Sequence, residues 1–343
     1  MLPKLNLLTF ILRRLAFAVF VLLGVTVITF VLSHSISNDP IVAWLGRAAS
    51  LYPDLAAAYA KKYHLNDPLY VQFWYYLVGL SQGDLGFSAF KGRPVADAIM
   101  ETLPFTLQIA FFAIVITLAI GIPLGVLAGK YHGKMADYGI RGFYLAGISS
   151  PAFLLALFLL IVLTYTFQLL PSGGALSPGL SPPKSITRFI ILDSLLQGDL
   201  RTFTDALTHV FMPSMALALG VFGYVTRVLR ASILDVMRAN YIRTARAKGL
   251  DENRVFFKHA LRNAMIPVVT LGSLVTTFLV TGTLFAETIF SYPGVGQYAV
   301  QSLVATDYPS ILAITLVFAV IIVAANLAAD ILYAVVNPEI RLT

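Results

Sequence analysis

The sequence predicts an all-α membrane protein: six transmembrane helices, with an extracytoplasmic insert between the first and the second. Three observations carry that prediction. Hydrophobic residues make up 58% of the chain against 12% charged, and the mean hydropathy is +0.81. Long apolar runs recur, and Lys and Arg gather in a few connections between them. A soluble domain carries about 25% charged residues, so this chain has too little polar surface for water. The net charge of +7 could point to nucleic acid, but its confinement to short connections is how membrane orientation is encoded. Cysteine is absent, so no disulfide holds the external segments and no thiol serves as nucleophile or soft metal ligand.

A helix crossing the hydrocarbon core needs about twenty mostly apolar residues, because each backbone polar group must be satisfied within the segment. Phe10–Leu32, Leu103–Gly129, Gly142–Leu170, Ala206–Thr226, Ile266–Glu287 and Tyr308–Val336 meet that requirement. The first follows Arg13 and Arg14, as a signal peptide would. Its uncharged stretch is longer than a signal core, and Leu32-Ser33-His34-Ser35 offers no A-x-A site, so a retained anchor is expected. The organisation is therefore a cytoplasmic N-terminus and first helix over 1–32, an extracytoplasmic insert over 33–102, a five-helix core over 103–336 and a cytoplasmic tail over 337–343. In the insert, Tyr52, Tyr63, Trp74, Tyr75, Tyr76 and Phe87 supply apolar area for a small ordered layer.

Orientation follows the Lys and Arg bias. Lys4, Arg13 and Arg14 place the N-terminus in the cytoplasm, and Lys130, Lys134 and Arg141 against the lone acid Asp137 place the connection after the second span there. The strongest signal is the connection around 230–265, where Arg227, Arg230, Arg238, Arg243, Arg246, Lys248, Arg254, Lys258 and Arg262 outnumber Asp235, Asp251 and Glu252. An even number of spans returns the C-terminus to the cytoplasm.

Several motifs imitate catalytic sites. Gly294-Val295-Gly296-Gln297-Tyr298-Ala299 has the G-x-G-x-x-A spelling of a dinucleotide loop but lacks the preceding strand, so a tight turn is expected. Gly129-Lys130 lacks the remaining positions of a phosphate loop; instead Gly121, Gly125 and Gly129 form a small-residue stripe for close helix packing. The five His are scattered without ligand spacing, and no G-x-S-x-G elbow occurs. Of the charges at membrane depth, Asp330 is expected to reach the interface or pair with a base. Glu287, at the outer end of its span, is expected to be solvated by water.

The run Tyr241–Arg254 reads as helix, break, helix: Ala, Arg and Lys favour the first helix, Gly249 ends it in the left-handed conformation, and Asp251 caps the next. Charge alone makes it a topology-fixing loop. Its spelling goes further: Arg243-Thr244-Ala245-Arg246-Ala247-Lys248-Gly249-Leu250, followed by His259-Ala260-Leu261-Arg262-Asn263-Ala264, resembles the cytoplasmic loop of ATP-binding-cassette importer permeases. The wider importer pattern is E-A-A, three residues, Gly, nine residues, I-x-L-P. Ala245, Gly249 and Leu261 match it, while Arg243, Thr244, His259 and Arg262 depart from it as the dipeptide and oligopeptide branch does. Leu65–Leu69, Gly83–Gly86, Leu103–Leu107, Gly121–Gly125, Glu287–Gly294 and Asn337–Arg341 extend the resemblance along nearly the whole chain, to the first, B-type, permease subunit of that family.

The resemblance implies the type I importer permease fold and a permease that forms half of a path for di- or oligopeptides. Its implied partners are a second homologous permease, two cytoplasmic ATPases that bind ATP and Mg, and an extracytoplasmic solute-binding protein, with no cofactor and no catalysis in this chain. Around Gly249 the loop would dock on an ATPase through Arg243, Ala245, Arg246, Lys248, Gly249, Leu250, Asp251, Phe256 and Leu261, with Arg243, Arg246 and Lys248 steering the contact and Leu250 and Phe256 supplying buried area. Oligosaccharide, nickel and glutathione importers share this branch, so the substrate stays open. An ion-coupled secondary transporter would need acids within the spans, which are nearly charge-free, and a membrane enzyme would need a convergent constellation that is not spelled.

Overall fold

A computed structural model describes residues 7–36, Ile41, Ala49 and 52–336. Lys4 and the tail from Asn337 to Arg341, with its family-like spelling, lie outside them. Helix α1 (Leu7–Ile36) is followed by α2 (Pro53–Lys62), α3 (Leu69–Ser81) and a hairpin of β1 (Phe87–Ser88) and β2 (Arg93–Pro94). Then come α4 (Val95–Lys130), α5 (Met135–Ser149), α6 (Ala152–Leu159) with a wide π turn over Leu160–Thr166, α7 (Ile190–Leu196) and α8 (Leu200–Met237). The remainder is α9 (Asn240–Ala247), α10 (Glu252–Arg254), a second π turn (Val255–Ala260), α11 (Leu261–Ala264), α12 (Ile266–Thr270), α13 (Gly272–Ile289), α14 (Val295–Val304) and α15 (Tyr308–Val336).

Five of these helices, α1, α4, α8, α13 and α15, are long and apolar enough to cross a membrane within the described residues. The third expected span, Gly142–Leu170, is not one helix. It is two, Met135–Ser149 and Ala152–Thr166, bent by 106°. The cause is local: Pro151 disfavours the helical region for the residue before it, and Ser150 is extended at φ −91°, ψ 127°. The bent pair still links both ends of the bundle. At its start Asp137 is held by Arg230 near the end of α8, and beyond α6 the N–H of Gly174 donates to the carbonyl of Phe290 (2.9 Å) past the far end of α13. It is one broken crossing rather than a loop returning to its starting side, which brings the crossings among the described residues to six.

Helix α8 runs through the middle, packed against α4, α5, α6 and α13. Its close partner is α4, and the contact is set by glycine. A Cβ on Gly121, Gly125 or Gly129 would stand 2.9, 2.9 and 2.8 Å from side-chain atoms of Val225, Leu229 and Ile233, in the same order. Both series advance by four residues, the spacing of the ridges along a helix surface, so the helices touch backbone to side chain along that length. Thr226 Oγ1 donates to the Gly121 carbonyl at 3.1 Å and Ser214 Oγ to the Ile109 carbonyl at 3.2 Å, adding polar bonds within the seam.

Helices α1 and α15 run antiparallel at the side. Arg14 and Asp330 form an ion pair at 3.1 Å near one end, and Phe30 and Tyr308 belong to one apolar cluster near the other. Asp330 thus takes the paired alternative of the two expected for it. The insert is ordered over its described part. Phe30, Ala60, Leu65 and Tyr76 form its core, Tyr59 meets Phe87 edge-on, and His64 stacks on Tyr75 at 3.8 Å. The helix of the second span begins at Val95 rather than Leu103, and its added turns, through Val95, Ala98 and Ile99, pack against Val295 and Tyr298.

Candidate functional site

The basic connection forms a compact bracket at the end of α8. Helix α9 stops at Ala247, Gly249 takes φ +75°, and the Asp251 carboxylate accepts the backbone N–H groups of Asn253 (3.0 Å) and Arg254 (3.4 Å) to start α10. No atom lies within 4 Å of a Cβ built on Gly249, so glycine is needed there for its backbone angle, not for space. Ile242, Ala245, Val255 and Ala260 make a small core beneath the bracket, with Val236 and Leu250 against it.

Several expected contact residues face inward. Ala245 is buried, Leu250 and Leu261 are half-buried, and Phe256 is 5% exposed and packed in the main core of the bundle. Phe256 therefore has no area to offer a partner; its neighbour Phe257 is 50% exposed. The π turn Val255–Ala260 explains the exchange, because its wider winding rotates the side chains off the ordinary helical register. Arg246 also has another task. It grips Glu252 with Nε to Oε1 at 2.7 Å and Nη2 to Oε2 at 3.2 Å, tying α9 to α10 across the turn. That carboxylate holds the Arg246 guanidinium above its ordinary pKa. Arg243, Lys248, Arg254, Phe257, Lys258 and Arg262 form the outward face.

Two links join the bracket's surroundings to the bundle, and neither was among the expected site residues. Lys130, at the end of α4, donates to Asn253 Oδ1 at 3.1 Å and lies over the rings of Phe257 (5.1 Å) and Phe256 (5.8 Å). Arg230 on α8 reaches the buried Asp137 of α5 in bidentate fashion, 2.6 and 2.8 Å, and donates to His132 Nδ1 at 3.0 Å. The Gly133 N–H completes the shell of Asp137 at 3.0 Å. The sequence signal for this link was the single acid in an otherwise basic turn. Bases from separate segments thus converge on one end of the bundle.

At the opposite end Glu287 is not solvated. It is fully buried, and the chain folds back over it so that the Gln297 N–H donates to Oε2 at 3.0 Å. A Cβ on Gly294 would sit 2.3 Å from its Cδ, and one on Gly296 2.9 Å from Oε2. The glycine pair that spells a dinucleotide loop thus lets the N-terminus of α14 close on an internal carboxylate, and the helix dipole offsets part of the cost of burying it. Hydropathy places Glu287 at a span's end, where water is usual; the returning loop excludes that water.

Residues 121–342 match the family described as binding-protein-dependent transport system inner membrane component, and residues 7–110 match its N-terminal region. The chain is 39% identical over 322 residues to the probable D,D-dipeptide transport system permease protein DdpB of Escherichia coli K12, covering 94% of each. It is 36% identical over 336 residues to the dipeptide transport system permease protein DppB of the same strain, covering 97% of this chain and 99% of that one. It is 37% identical over 337 residues to the oligopeptide transport system permease protein AppB of Bacillus subtilis strain 168, at the same coverage. Among solved structures, an inward-facing MetNI methionine ABC transporter chain superposes with a TM-score of 0.50 at 15% identity, covering 70% of this chain and 96% of its own. That likeness is one of fold.

Proposed function

This chain belongs to the family of binding-protein-dependent transport system inner membrane components, and from that premise we propose that it is a permease subunit forming half of an importer's path for di- or oligopeptides. The observation that carries the reading is collinear identity, 36–39% over almost the full length, with relatives whose names are dipeptide and oligopeptide permeases. It is a multi-pass membrane protein and not itself an ATPase. ATP and Mg belong to two partner ATPases, a second permease completes the path, and an extracytoplasmic binding protein delivers solute. The convergence of Lys130, Lys134, Arg230, Arg243 and Lys248 on one end supports placing that end, and both termini, in the cytoplasm.

In this reading the outward face of the bracket docks on an ATPase, with Arg243 and Lys248 steering and Phe257 supplying apolar area. The bracket is small and internally cored, so it turns as a unit when nucleotide draws the ATPases together. Lys130 and the Arg230–Asp137 pair carry that turn to α4 and α5. Coupling is then a difference in contact energy between inward- and outward-facing arrangements, paid for by nucleotide binding. An ion-coupled transporter is disfavoured: among the described residues, Asp330 is paired with Arg14 and Glu287 is enclosed by backbone, so neither acid faces a conduit.

Reconstitution of the chain with its co-encoded subunits tests the reading. Peptide uptake that requires ATP and the binding protein is expected. Uptake driven by an ion gradient without ATP would overturn it. Measuring which of peptides, oligosaccharides, nickel or glutathione raises the melting temperature of the co-encoded binding protein decides the substrate class.

A further inference from the structure

Helix α3, Leu-Tyr-Val-Gln-Phe-Trp-Tyr-Tyr-Leu-Val-Gly-Leu-Ser, contains no acidic or basic residue. Its one amide, Gln72, is 4% exposed and turned inward, donating to the carbonyls of Leu65 (3.1 Å) and Asp67 (2.8 Å). Its inner face meets α1: the Phe30 ring lies 5.1 Å from that of Phe73 and 5.7 Å from that of Tyr76. The outer face carries Tyr70 and Trp74, 76% and 62% exposed, with Leu69 also exposed at the first turn. A helix washed by water on that side would show charges; this one shows aromatic rings.

The height of α3 is fixed by its partner. Phe30 lies near the end of the α1 span Leu12–Leu32, and beside it α1 exposes Val27, Ile28, Val31 and Leu32. The exposed apolar side chains of α1 and the aromatic face of α3 therefore lie at the same height, where α1 leaves the hydrocarbon. At 13 residues α3 is about 20 Å long, too short to cross a core of about 30 Å. Trp and Tyr favour the headgroup layer, where the ring is in an apolar setting and the N–H or O–H meets water.

We propose that α3 is an interfacial helix, its Tyr70–Trp74 stripe seated in the phospholipid headgroup layer of the leaflet on the hairpin side. The occupant is lipid rather than protein: the stripe lies at the height where a spanning helix leaves the hydrocarbon, and α3 supplies no charged rim of the kind that surrounds a protein contact. Anchored in this way, α3 holds the insert at one height and leaves α2 and the hairpin for protein contacts.

Trp44 and Trp74 are the sequence's two tryptophans, so emission of the Trp44→Phe chain minus that of Trp44→Phe/Trp74→Phe isolates Trp74 even in an assembled complex. The complex is reconstituted in phosphatidylcholine vesicles with bromine on the acyl chain near the headgroup, or with none. Aqueous iodide serves as the opposing quencher. Quenching of most Trp74 emission by bromolipid, with weak quenching by iodide, is expected. Strong iodide quenching without bromolipid quenching would place the stripe in water, and quenching by neither would place it under protein; each overturns the proposal. A Tyr70→Cys chain carrying a polarity-sensitive maleimide provides an independent position: a blue-shifted emission that the bromolipid quenches supports the seat in lipid, and an aqueous emission opposes it.

Discussion

Arg246 and Glu252 hold each other across Gly249, guanidinium to carboxylate at 2.7 and 3.2 Å, and so close the turn between the two helices of the basic bracket. The pair is exposed, so its contribution is under about 1 kcal/mol and falls with salt. Arg246→Glu is expected to set like charges against each other and to give a mild, salt-sensitive loss of ATPase-to-uptake stoichiometry in reconstituted vesicles. The exchange Arg246→Glu with Glu252→Arg should recover the stoichiometry. Failure of that exchange would assign Arg246 directly to the partner surface.

Gly249→Val acts through the backbone. At φ +75° a β-branched residue is strained by about 1–2 kcal/mol or more, although its side chain would meet nothing. Membrane insertion and permease pairing should persist while ATP hydrolysis separates from uptake, or the ATPase is lost on purification. Fully coupled uptake by this variant would reduce the bracket to a determinant of topology.

Gly125→Ala should lower the thermal unfolding temperature in detergent, because its Cβ would lie 2.9 Å from that of Leu229 in the α4–α8 seam. Overpacking of this kind costs about 1–3 kcal/mol. In a double-mutant cycle with Leu229→Gly, which removes that Cβ, the two single losses should sum to more than the double variant shows. Strict additivity would mean that the helices stand further apart than this geometry.

Glu287→Gln preserves the acceptor for the Gln297 N–H and should be tolerated better than Gly294→Ala, whose Cβ would enter the carboxyl group. Thermal unfolding of the two variants side by side checks the order. The reverse order would show that charge, not fit, secures the loop.

Asp307 links the insert to the core: Ser88 and Ser310 hydroxyls both donate to its Oδ2. Burial raises its pKa above the ordinary carboxylate value, against those hydrogen bonds. The folded state therefore holds the proton more tightly than the unfolded one. The stabilisation is full below the unfolded pKa of about 4 and is lost as pH rises through the raised value. Tryptic cleavage at Lys91, beside the hairpin, should accordingly be slower in mild acid after correction for the protease's own profile. Asp307→Asn should remove that dependence.

Much of this architecture was legible because hydropathy and turn chemistry are local. The apolar runs, the left-handed Gly249 and the Asp251 cap needed only near neighbours. The bend at Ser150 was hidden inside a run that is apolar on every side, where periodicity carries no information; Pro151 was its only mark. Phe256 is buried and Phe257 exposed, against the expected facing, because a π turn breaks the 3.6-residue period on which facing is inferred. Glu287 was misplaced because its surroundings come from residues seven to ten positions later that fold back over it. Arg230 and Asp137 meet across 93 positions, a separation that charge counting does not resolve.

The glycine seam also has a mechanical consequence. Helix α8, with 38 residues, is about 57 Å long, and α4, with 36, is nearly its equal. Two rods in contact at Gly121, Gly125 and Gly129 resist bending far better than either alone, so they act as one beam spanning the bilayer. A tilt of about 5° at the basic end then displaces the far end by about 5 Å, a distance comparable with the width of an amino-acid side chain. Under the function proposed above, a small movement at the bracket would therefore be enough to widen or narrow the path at its far end.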